Sequence, residues 1–208
     1  MLSWLRRLRG GSDEALQRWV VVDVETSGFD PTKDGLISIG GVAMRSDGHV
    51  LPADAIEIVY RQNAASSREN ILVHGIGVEA QMTGADPEFA TRSFLDFVGT
   101  SPILAFHAPF DRGFLARAVK IFVNQPFDNP WLDLAELAPA VDPDARLKSL
   151  DEWLARYGIS VSVRHSAAAD AFATALLAAR LMPKCREQGV QDFIGMQRMA
   201  RQAKWLSS

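Results

Sequence analysis

Residues 19–28 read Trp19-Val20-Val21-Val22-Asp23-Val24-Glu25-Thr26-Ser27-Gly28. A β-branched run that ends in alternation and is closed by small polar residues and glycine predicts a strand followed by a tight turn. Side chains alternate across a strand, so Asp23 and Glu25 leave one face while Val22 and Val24 enter the core on the other. Outward from this run, residues 36–44 form a second apolar strand, in which Gly40-Gly41 marks a bulge or a close contact, and residues 56–61 a third. Short connections, including Arg45-Ser46-Asp47-Gly48, predict an antiparallel meander of the three.

The chain then turns helical. Residues 87–98 place Phe89, Phe94, Phe97 and Val98 on one helical face, and residues 103–106 make a short buried strand. Phe110, Phe114, Leu115, Ala118, Val119 and Phe122 then recur at helical spacing. Ser149-Leu150-Asp151-Glu152 is a capping box opening a helix that stops near Gly158, and alanine-rich residues 166–182 are the strongest helix of all. An amphipathic helix over residues 190–206 closes the chain. Strands followed by alternating helix and strand predict one α/β domain with a mixed sheet. The expected organisation is a basic segment over 1–18, forming a short helix (Trp4, Leu5 and Leu8 against Arg6, Arg7 and Arg9) or a tail, a main domain over 19–185, and a C-terminal helix over 186–208.

Composition narrows the class. The chain has 208 residues, 48% of them hydrophobic and 23% charged, which excludes disordered and fibrous proteins. A lone Cys185 cannot form an internal disulfide or a CxxC site, as suits a reducing cytoplasm, the expected location. No apolar run reaches the ~20 residues a bilayer span needs, and no secretory signal opens the chain. A net charge of −3 argues against a broad, non-specific duplex binder.

Four carboxylates and a histidine carry chemical interest. Asp23 and Glu25, side by side at the end of an apolar strand, repel unless a cation lies between them; two solvated acids are the ordinary alternative. Asp111 falls at the start of a helix, where a carboxylate can also serve simply as a cap. Asp170 lies in the first turns of the alanine-rich helix. His165, five residues earlier, can converge with it only from the preceding loop, with Ser166 as N-cap. An all-oxygen ligand set favours hard cations, Mg²⁺ or Mn²⁺.

Taken together, DVETSGFD, FHAPFDRGFL and RHSAAADAFATALL resemble, in order and approximate spacing, the motifs of the DEDD-type 3′–5′ exonucleases, in the subgroup with a histidine near the last aspartate. The resemblance extends to the proofreading epsilon subunits of bacterial DNA polymerase III and to relatives that trim RNA ends. Ile71-Leu72-Val73-His74-Gly75-Ile76 and Trp131-Leu132-Asp133-Leu134 add to it; Phe106-His107 departs from it, because relatives commonly carry His-Asn there. The resemblance implies a ribonuclease H-like, mixed five-stranded sheet flanked by helices, and two divalent cations, Mg²⁺ or Mn²⁺. It assigns Asp23 to both ions, Glu25 and Asp170 to the nucleophile-side ion, Asp111 to the other through water, and His165 to the proton of the attacking water.

The resemblance also implies that Thr26, Ser27 and Gly28 hold the terminal ribose and that Phe29 and Phe110 meet the terminal base. For Phe29, a core role closing the turn is the alternative. The expected substrate is a single strand of DNA or RNA with a free 3′-hydroxyl, DNA slightly favoured, releasing 5′-mononucleotides; an RNA 3′-end trimming enzyme is the alternative. An aspartyl-nucleophile phosphatase would need a second Asp two residues after the first, where Glu25 stands, and a silent nucleic-acid-binding domain would have lost an acidic ligand. The resemblance allows a polymerase partner, but no clamp-binding segment or tethering tail is recognised, and a stand-alone nuclease is expected.

Overall fold

A computed structural model of the chain describes residues 17–161 and 166–207. The quoted run becomes β1, Arg18–Thr26, followed in sequence by β2, Leu36–Arg45, and β3, Val50–Val59. These three pair antiparallel, as the short turns require. Strands β4 (Ile103–Ala105) and β5 (Trp131–Asp133) then add in parallel on the other side of β1. The order is β3-β2-β1-β4-β5, a mixed five-stranded sheet among the described residues, with β1 at its centre.

Alternation along β1 divides the interior in two. Trp19 and Val21 face one core, shared with α5 (Leu134–Val141), α6 (Leu150–Arg156), α7 (Ala167–Glu187) and the start of α8 (Phe193–Ser207). Val20, Val22 and Val24 face the other, shared with α3 (Pro87–Val98) and α4 (Ala108–Ala118). Both faces of the sheet are therefore covered, which burial of a parallel pair demands. The short helices α1 (Arg68–His74) and α2 (Val78–Thr83) precede α3.

Local signals set several boundaries. Ser149 and Glu152 form the reciprocal capping box of α6, and Ser166 caps α7 through the Ala169 amide at 3.3 Å. The α4 helix continues through a π-helical turn, Val119–Val123, ended by Asn124 in the left-handed region. Two expectations differ from the structure. Strand β3 begins six residues before position 56, as an edge strand with Pro52 in its first half and a register irregularity at Val42/Ala43; a proline is tolerated at an edge, where one row of amides needs no partner. Phe89 is 66% exposed and not on the buried face of α3, because five residues separate it from Phe94, about 140° around a helix. Helices α1, α2 and α5 lacked a clear period in sequence. The expected N-terminal helix or tail falls mostly on residues 1–16, outside the described residues, as does His165. No helix among the described residues is long and apolar enough to cross a membrane.

Candidate active site

The acidic pair continues an apolar row. Along β1, Trp19 and Val21 feed the α7-side core, and the next two residues on that face are Asp23 and Glu25. Their neighbours on β2 are Gly40 and Ser38. Gly40 decides what can approach. A Cβ built there would overlap the carbonyl group of Ala167 and the amide nitrogen of Ala168, so only glycine lets the first turn of α7 rest on β2. Buried Ala167 and Ala171 keep that side of the helix smooth. The result brings Asp170, in the first turn of α7, to the strand pair: Asp23, Glu25 and Asp170 each offer a carboxylate oxygen within 4.8 Å of the others.

Burial and like charge act on this group. Glu25 is pushed up to about 7, first by desolvation, then by the charges of Asp170 and Glu57. Asp111 arrives from the opposite side of the sheet, in the first turn of α4, and is 3% exposed. Its carboxyl is raised well above the usual range, mainly by burial. Its own amide and that of Val24 oppose the shift, and Asp133 and Glu25 add to it. Asp133 is itself raised by burial. Its Oδ1 accepts from the His107 amide at 3.0 Å and the Ala135 amide at 2.9 Å, which ties β5 to the start of α4 and sets the helix that carries Asp111. His107 occupies the left-handed region, φ 65° and ψ 49°, a backbone state in which Asn and His are enriched over most side chains. This gives a local reason for the departure at that position.

A turn closes over the end of β1. Thr26 Oγ1 donates to the Gly28 carbonyl at 2.6 Å, Ser27 Oγ accepts from the Gly35 amide at 2.8 Å, and the Ser27 amide donates to the Gly35 carbonyl at 2.9 Å. Phe29, at its tip, is 90% exposed, which removes the core reading for this side chain. Its ring lies 6.5 Å from that of Phe110, which in turn packs on Phe114 at 5.0 Å. The turn is also held from below. Asn70 Nδ2 donates to the Thr26 carbonyl at 2.9 Å, and the Asn70 Oδ1 lies 2.9 Å from Nε2 of buried His74. His74 Nδ1 accepts from the Ile76 amide at 2.9 Å. Asn70, Asp133 and Gly40 are thus parts of the arrangement that motif reading passes over as ligands. Asn70 carries no signal in one sequence, whereas Gly40 was marked as a close contact and Asp133 lies in a quoted motif.

The family model described as Exonuclease matches residues 20–178. The chain belongs to the exonuclease family. Within that family it is 33% identical over 180 residues to a DNA polymerase III subunit epsilon-like protein of Rhodobacter capsulatus, covering 84% of this chain and 25% of that protein. It is 28% identical to a DNA polymerase III PolC-type of Latilactobacillus sakei, covering 92% of this chain and 14% of that one. The exonuclease-family chain therefore spans a quarter or less of the length of these relatives. Its fold is shared with E. coli exonuclease I in complex with a dT13 oligonucleotide, at a TM-score of 0.72 and 19% identity, over 83% of this chain and 42% of that one.

Exonucleases of this family depend on divalent metal, and the donor set fits one: oxygen-only, crowded and partly desolvated carboxylates that a cation would relieve. A consequence for stability follows from the sign of the Glu25 shift. Its folded pKa lies above the ordinary 4.5, so its contribution to stability is present below about 4.5 and is lost as pH climbs through about 7. A divalent cation should reverse that loss. Thermal melts with and without Mn²⁺ are expected to show a rise of a few degrees at pH 8, on the order of 1–3 kcal/mol at saturating metal, and a much smaller one at pH 5. Equal shifts at both pH values would contradict the assignment.

Proposed function

We propose that the protein is a 3′–5′ exonuclease acting on single-stranded nucleic acid, DNA slightly before RNA, with Mg²⁺ or Mn²⁺ and a free 3′-hydroxyl end. The observation that carries this reading is the meeting of Asp23, Glu25 and Asp170 at the end of β1, with buried Asp111 approaching from α4, in an exonuclease-family chain. Asp23, Glu25 and Asp170 would hold one divalent ion, and Asp23 with Asp111 a second. When bound, such ions offset phosphate charge, lower the pKa of water and stabilise the leaving oxygen.

The remaining work falls to this chain's own residues. His165 accepts the proton of the attacking water at its imidazole. The Thr26–Gly28 turn holds the terminal sugar and its hydroxyl by backbone groups, and exposed Phe29 with Phe110 lies against the terminal base, a contact indifferent to base identity and worth ~1–3 kcal/mol. The relatives' names and the dT13 complex of exonuclease I support DNA as the first substrate to test. A cytoplasmic location is part of the same proposal.

The test offers end-labelled single strands, DNA and RNA, with a 3′-hydroxyl, with a 3′-phosphate, and circularised. The 3′-hydroxyl strand should shorten one 5′-mononucleotide at a time, the 3′-phosphate should slow the reaction, and the circle should survive; efficient cutting of the circle would overturn the reading. Replacing His165 by Ala should lower turnover by ~10²–10⁴-fold while Mn²⁺ binding, followed by calorimetry, persists. Lost metal binding in that variant would make His165 a ligand and not a base.

A further inference from the structure

Next to the carboxylates a groove of about 1110 Å³ opens, lined by His107, Phe110, Pro139, Ala140, Arg146 and Lys148 among others. It is as large as the biggest small-molecule pockets, ~1,000 Å³. One end abuts the proposed active site: Phe110 precedes buried Asp111, and Asp133, whose charge acts on Asp111, also lines the groove. One wall is a side of α5, from Ala135 and Glu136 to Pro139 and Ala140. The other is the segment between α5 and α6, residues 143–148, which brings the two cations.

That segment is anchored at both ends. Asp142 pairs with Arg156 of α6 at 3.1 Å, and Glu152 Oε2 accepts from the amides of Lys148 and Ser149, each at 2.9 Å. Arg146 and Lys148 are exposed, and neither enters an ion pair among the described residues. A pair of exposed cations outside any ion pair, on an anchored loop that faces a largely apolar helix side and leads toward a carboxylate cluster, has the chemistry of a strand path: phosphates to the cations, bases to the proline-alanine wall. Asp133 and Glu136 also line the groove, at the start of α5.

We propose that this groove holds the nucleotides on the 5′ side of the scissile linkage, with Arg146 and Lys148 each gripping one backbone phosphate. The inference rests on the exonuclease reading and adds to it a footprint: two phosphate contacts, few enough for a chain whose net charge is −3. It also gives a reason for single-strand preference, because the groove is bounded on two sides by protein and offers its cations along one wall.

The experiment compares the full chain with a double variant, Arg146→Gln and Lys148→Gln, on two substrates. One is a single-stranded DNA oligonucleotide; the other is the p-nitrophenyl ester of thymidine 5′-monophosphate, which has no upstream phosphate. On the oligonucleotide, KM should rise on the order of tenfold with kcat retained, and the slope of log(kcat/KM) against log salt should flatten by about 1.4, the release expected for two single-strand phosphates. On the ester, kcat and KM should not move. Parallel losses on both substrates, or no change on the oligonucleotide, would overturn the strand path. If the unsubstituted chain cleaves neither substrate, the exonuclease reading falls, and the groove assignment falls with it.

Discussion

Asp170→Asn is expected to lower hydrolysis by at least ~10³-fold, equivalent to ~4 kcal/mol of transition-state stabilisation, while the protein stays folded. The substitution keeps the shape of the side chain and its place in the first turn of α7, and removes one charge from the trio within 4.8 Å. Two further effects separate a lost metal ligand from a damaged fold. Glu25, no longer facing that charge, should titrate lower than about 7, and the metal-free variant should melt at the same temperature as the unsubstituted chain or higher at pH 8. The Mn²⁺-induced rise in melting temperature should shrink or vanish. A variant that turns over normally would remove Asp170 from the site; one that melts well below the unsubstituted chain would assign it to the fold instead.

Among the described glycines, Gly40→Ala should be the most damaging alanine substitution. Elsewhere a glycine in a strand is a weak point that alanine can improve. Here the added carbon would occupy the space of the Ala167 carbonyl and the Ala168 amide, both backbone, so no side chain can turn aside. Either α7 lifts from β2 or the sheet bends away. Overpacking costs about 1–3 kcal/mol, or roughly 2–12 °C in melting temperature for a chain of this size. Because Gly40 sits opposite Asp23 in the strand register, the displacement falls where Asp170 meets the pair. Activity should therefore drop far more than stability does, and metal affinity with it. The contrast is Gly41→Ala, whose added carbon would meet side chains of Phe97 and Ile56 at 2.9 and 3.1 Å on the other face; it is expected to cost stability with metal binding largely kept.

What one sequence discloses here follows physical range. Strand β1 was readable because its signal is local: apolar alternation in residues 19–25 and a turn-forming triplet after it. Helices α6 and α7 were readable for the same reason, through Ser149 with Glu152 and Ser166 with an alanine run. The four carboxylates stood out because type, spacing and order together matched a family. What stayed hidden depends on distant partners. Nothing near Asn70 tells that its amide reaches the Thr26 carbonyl, 44 residues away in sequence. The edge strand's early start at Val50 depends on β2 across a register irregularity. Phe29 was ambiguous between core and surface until the turn from Thr26 to Gly35 placed it at 90% exposure.

The chain of groups beneath that turn has a direction. The Ile76 amide can only donate, so His74 Nδ1 must accept; the proton then belongs on Nε2, Asn70 Oδ1 must receive it, and the Asn70 amide nitrogen is left to face the Thr26 carbonyl, which can only accept. A backbone donor at one end and a backbone acceptor at the other thus dictate both a histidine tautomer and an amide orientation, with no equivalent arrangement of reversed polarity. Burial holds the imidazole in its neutral form, below its ordinary titration range. Acid would place a second proton opposite the Ile76 N–H and break the sequence at its first member. The pocket that would receive a 3′ end is thus wired one way, from α1 up into the last residue of β1, and its geometry carries the memory of a single proton.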